Sequence, residues 1–107
     1  MALPISGGHF DYDQYKILNM AEAIESVIHR NNSDEVDEYG YKTSYDFSAE
    51  TIVEFERAVF YLNLAYTYAQ RIDWLVSGDD GEETFHRRLT DDLKNLEKYE
   101  ILDNSEL

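Results

Sequence analysis

Two carboxylate-bearing motifs and one arginine cluster combine residue types and spacings that could do chemistry. Glu83-Thr84-Phe85-His86 is a Glu-x-x-His. Residues three apart on a helix share a face, so its carboxylate and imidazole could converge on one metal ion. Glu22-Ala23-Ile24-Glu25 sets two carboxylates at the same spacing, an arrangement able to hold Mg²⁺ against phosphate oxygens. Arg71, His86, Arg87 and Arg88, with Trp74 nearby in sequence, supply the cations and the flat ring of an anion pocket. The free N–H groups at a helix start would add donors to it. His9, His29 and His86 stand apart from any serine in a recognisable nucleophile motif.

Each pattern has a plainer counterpart. Helical di-iron carboxylate proteins carry Glu-x-x-His twice; this chain carries it once, so a metal-dependent enzyme using Glu83 and His86 is a minority expectation. Helical nucleotide pyrophosphatases pair their Glu-x-x-Glu with a second acidic motif, and the segment from Glu50 to Glu56 has the wrong spacing for one. The run from Ser77 to Leu89 also reads as a joint between helices. Gly78 can stop one helix, and Asp79 or Asp80 can cap the next. Glu82 and Glu83 suit the positive end of its dipole, and Arg87 and Arg88 can pair with Glu83 and Asp91 one turn away. The joint is the leading expectation, with no catalytic residue, metal or cofactor assigned.

The elements that must position these residues are three helices. Asp11 reads as an N-cap with Gln14 three positions on, and Phe10 and Tyr15 as a hydrophobic staple. Ile17, Met20, Ala21, Ile24, Val27 and Ile28 then recur at three and four residues, predicting a helix from about Tyr12 to Arg30. Ser48 repeats the start signal, with Phe47 facing Ile52, and no Gly or Pro interrupts a second helix before Val76. One stripe of it carries Ile52, Phe55, Val59, Leu62, Tyr66 and Ala69; Val53, Phe60, Tyr61, Leu64, Tyr68 and Leu75 lie on the other side. A helix apolar on both sides must be covered on both sides, which predicts association with a second copy. Asp80 as N-cap with Glu83 three on starts a third helix, whose narrow stripe is Phe85, Leu89, Leu93, Leu96 and Tyr99.

The expected fold is all-α: one domain over 1–107, an antiparallel three-helix bundle with a long central helix, oligomerising through its helices. Residues 1–10 form an N-terminal arm, 31–47 an acidic Tyr-rich loop, and 103–107 a frayed tail. Tyr39, Tyr41, Tyr45 and Phe47 of that loop either pack back onto the core or offer rigid contact area to a partner.

Composition narrows the function. With 23 acidic and 9 basic residues the net charge is −14, a field that repels nucleic acid and anionic membranes and draws in basic proteins. Absent cysteine excludes disulfides, thiol catalysis and thiolate metal sites. A hydrophobic fraction of 43% with nine tyrosines separates the chain from disordered acidic sequences. The N-terminus lacks the basic and apolar regions of a signal peptide, so the cytoplasm is the expected compartment.

Two blocks carry a resemblance: Gly7-Gly8-His9-Phe10-Asp11-Tyr12-Asp13-Gln14-Tyr15-Lys16-Ile17, and Ala69-Gln70-Arg71-Ile72-Asp73-Trp74-Leu75-Val76-Ser77-Gly78-Asp79-Asp80-Gly81-Glu82-Glu83 running into Phe85-His86-Arg87-Arg88-Leu89. They resemble a family of small uncharacterised proteins of bacteriophages and prophages. The resemblance implies a phage setting inside a bacterial host and brings no catalytic residues with it. Small acidic proteins in that setting often inhibit host defence or nucleic-acid-handling proteins by charge mimicry. The first expectation is therefore a protein-interaction module that binds a basic host or phage protein through Asp34, Glu35, Asp37, Glu38, Tyr39 and Tyr41. The alternative is a binder or sequestering protein for a nucleotide-like anion, using Arg71, Trp74, His86, Arg87 and Arg88 at the joint of the second and third helices.

Overall fold

Three helices form, as the periodicity predicts: α1 (Gln14–Arg30), α2 (Ala49–Val76) and α3 (Glu82–Ser105). The computed structural model describes residues 9–105, with the surroundings of side chains given from 9 to 96. Most of the predicted arm, the last residues of the predicted tail and the side chain of Tyr99 lie outside the described residues. Helix α3 continues through Ser105, into the stretch expected to fray. Among the described residues there is no strand, only one antiparallel bridge between Val36 and Lys42.

The ends of α2 follow their local signals. Ser48 is extended and its Oγ accepts the Thr51 N–H at 3.3 Å, satisfying one of the donors a helix start leaves free. At the other end Gly78 adopts φ +84°. Its N–H donates to Leu75 O at 3.2 Å and the Asp79 N–H to Trp74 O at 2.9 Å, the paired bonds of a Schellman motif.

The starts of α1 and α3 differ from expectation. Asp13, not Asp11, flanks α1, and its side chain makes no cap bond. Asp11 and Tyr12 instead turn through left-handed backbone, at φ 54° and 62°, a conformation that costs non-glycine residues roughly 1–2 kcal/mol each. The predicted capping box fails because Gln14 is drawn inward, where its Nε2 donates to Gln70 Oε1 at 2.7 Å and Asp73 Oδ2 at 3.0 Å. At α3, Gly81 is the residue before the first turn and its carbonyl accepts the Phe85 N–H at 2.8 Å. Asp80 lies one position further out, with its almost fully buried side chain 3.8 Å from the Arg88 guanidinium.

Helices α1 and α3 both pack on α2, and among the described residues their backbones do not approach each other closely. The principal extents are 52 × 40 × 14 Å, so the thinnest dimension is close to one helix diameter. The Cα radius of gyration of 17.9 Å exceeds the roughly 13 Å of a compact domain of this length. Ala21 is the one apolar side chain fully buried among the described residues. Most other apolar positions of α2 are partly covered, while Tyr61, Ala65, Tyr68, Ile72 and Val76 remain exposed.

Candidate interaction site

The two resembling blocks meet in space. Asp73, fully buried on α2, accepts the Phe10 N–H on Oδ1 at 3.0 Å and the Gln14 amide on Oδ2. One turn away Ser77 Oγ accepts the His9 N–H at 3.0 Å, and Gln70 Nε2 reaches the Tyr15 hydroxyl at 3.3 Å. The Tyr15 ring lies 5.8 Å from that of Tyr66, and burial, then Tyr15 beside it, hold the Tyr66 phenol above its ordinary value. This polar lock seats the start of α1 on the end of α2. Charged residues at the surface and in the core look alike in a sequence, so Asp73 carried no sign of its role there. Only its helical offset of three from Gln70 hinted at a shared face.

Two of the three arginines of the alternative anion pocket, Arg71 and Arg88, face acids. Arg71 donates from Nε to Asp92 Oδ2 at 2.6 Å and from Nη2 to Oδ1 at 3.3 Å, and its guanidinium lies 4.9 Å from the centre of the Trp74 ring. Arg88 faces Asp80, in place of the predicted pairing with Asp91. His86 stands edge-on to Phe85 at 5.1 Å and is exposed, as are Arg87 and Glu83. The structure thus brings Arg71 and Trp74 together and shows no hydrogen bond, ion pair or ring contact joining them to His86 or Arg87. No group of three or more histidine and acidic side chains among the described residues is placed to hold a metal ion.

Glu22 and Glu25 instead line an open groove of about 980 Å³ together with Glu56, Ile28, Val59, Phe60 and Leu96. The Glu-x-x-Glu spacing revealed two of these three acids; Glu56 joins them only because α1 packs on α2.

The loop between α1 and α2 is an exposed turn closed by its own hydrogen bonds. Asp37 Oδ1 accepts both the Tyr39 N–H at 2.9 Å and the Tyr41 N–H at 3.0 Å, while the Asp37 N–H donates to Tyr41 O at 2.8 Å. Gly40 supplies the left-handed turn at φ +83°. Below the tip, Thr43 N–H donates to Glu35 O, and Asn31 bonds the Phe47 backbone through both amide atoms. This hairpin holds Tyr39 and Tyr41 outward at 76% and 72% exposure. Packing of these two tyrosines onto the core, one of the two sequence expectations, does not occur. The inward aromatics are Phe47, which stacks on Tyr45 at 4.9 Å and meets Phe55 edge-on at 5.4 Å. Asp34, Glu35, Asp37 and Glu38 are all exposed on the same hairpin.

No protein-family model, curated protein or solved structure matches the chain. No helix among the described residues is long and apolar enough to cross a membrane.

Proposed function

We propose that the chain is an acidic protein-interaction module that engages a basic protein surface through the hairpin between α1 and α2. Its scaffold is an antiparallel three-helix bundle, a reading supported by Gln14 at the start of α1 bonding Gln70 and Asp73 near the end of α2. The observation that carries the function is the hairpin tip. Two tyrosines, rigid and amphipathic, are pre-set outward by a turn that the Asp37 carboxylate and Gly40 hold, among four exposed acids. A pre-ordered aromatic pair loses little entropy on binding, and surrounding acids speed and orient a basic partner. In the phage setting that the resemblance implies, the partner is a host defence or nucleic-acid-handling protein in the bacterial cytoplasm, its nucleic-acid site occupied by charge mimicry.

The test is capture from bacterial lysate at low and high salt with the tagged chain and with its Tyr39→Ala/Tyr41→Ala variant. A basic protein that elutes at high salt and is lost in the variant is expected, with affinity about tenfold or more weaker for the variant. Equal capture by both chains removes the hairpin from the interface. An anion pocket at the α2–α3 joint has less support, because Arg71 and Arg88 face Asp92 and Asp80.

A further inference from the structure

We propose that the outer face of α2 is the seat of a second copy of this chain, packed antiparallel about a two-fold axis. Tyr61, Ala65, Tyr68, Ile72 and Val76 follow one another at four, three, four and four residues, which lines them up on one helix face. All five are exposed, from Tyr61 at 62% down to Ile72 at 37%. The face is about 22 Å long at the rise of an α-helix.

Its lack of charge points to the occupant. Between Tyr61 and Val76 the charged residues are Arg71 and Asp73, and both are turned elsewhere, to Asp92 and to Phe10 and Gln14. A basic partner finds nothing on this face to recognise, whereas two copies of a chain of net charge −14 can meet closely only where neither presents an acid. The groove rimmed by Glu22, Glu25 and Glu56 excludes a second copy for the same reason.

The residue order is self-complementary in one direction. An antiparallel pair centred on Tyr68 sets Tyr61 against Val76 of the second copy and Ala65 against its Ile72, a large side chain opposite a smaller one at each step. A parallel pair would set Tyr61 on Tyr61 and leave the gap at Ala65 facing itself.

Sedimentation velocity of the chain across the micromolar range, at low and high salt, tests the proposal. A dimer is expected whose affinity rises with salt, because salt screens the repulsion between two acidic copies. This sign is opposite to that of the proposed basic partner, so either reading can fail without the other. Ala65→Glu and Ile72→Lys should each weaken the dimer about 100-fold by burying a charge, with helical content unchanged by circular dichroism. The double variant should regain most of the affinity, since antiparallel register sets each new charge against its opposite on the second copy. A monomer at every concentration and salt overturns the proposal, and so does a double variant no better than the singles.

Discussion

Asp73 and Asp37 make the same kind of bond in opposite surroundings. Each carboxylate accepts two N–H groups, Asp73 from Phe10 and Gln14 and Asp37 from Tyr39 and Tyr41. Asp73 is fully buried and joins positions 63 and 59 residues apart; Asp37 is exposed and its partners lie two and four residues away. Burial decides what those bonds do. In the interior, water cannot replace a lost acceptor, so the bonds hold two helices in register. At the surface it can, so the bonds shape a loop while contributing little to global stability.

Removing each carboxylate is the most direct way to break this comparison. Asp73→Ala leaves the Phe10 N–H and the Gln14 amide without their acceptor and should destabilise the fold by about 2–5 kcal/mol. Chemical denaturation would read that as a large drop in midpoint. Gln14→Ala keeps Asp73 but takes away one donor, and should lower stability by about 1–3 kcal/mol in the same experiment. Next in size is Asp37→Ala, expected at about 0.5–1.5 kcal/mol. Its signature is local: amide exchange at Tyr39 and Tyr41 should quicken while α2 stays protected. A denaturation midpoint that falls as far for Asp37→Ala as for Asp73→Ala would sink the distinction drawn from burial. The smallest effect sharpens it. Lys42 and Asp46 form an exposed ion pair at 2.8 Å on the hairpin, and Asp46→Asn should change stability by about 0.5 kcal/mol or less.

The lock also gives the chain an alkaline limit. The Tyr66 phenol is raised above its ordinary value of 10.0 in the folded state, by burial first and by Tyr15 second. A raised acid favours its neutral form on folding. Its contribution is therefore intact below pH 10 and is lost as pH climbs through the raised value. Thermal melts of the wild type should fall above pH 10, and Tyr66→Phe should flatten that fall. An unchanged slope in the variant would assign the loss to other tyrosines.

Much of the scaffold was legible because its signals are local. Apolar spacing marked α1, the uninterrupted run from Ala49 marked α2, and Ser48 and Gly78 marked its ends through bonds that close within a few residues. The starts of α1 and α3 were misplaced because a distant group outbid the local one, Gln14 being taken by Gln70 and Asp73, and Asp80 lying against Arg88. Of the candidate sites, the exposed acids and tyrosines of the hairpin could be named from type alone. That Glu56 joins Glu22 and Glu25 could not, since it sits on another helix.

By itself the sequence determined that the chain is helical, acidic and cysteine-free, and where its long helix begins and ends, because periodicity, caps and charge act within a few residues or over the chain as a whole. Tertiary structure alone decided that Asp73 is buried while Asp37 is not, and that Arg71 is clamped by Asp92. It also decided that Tyr61, Ala65, Tyr68, Ile72 and Val76 stay exposed on α2. Each depends on which segments pack against one another, and desolvation, the term that separates these residues, exists only once they do.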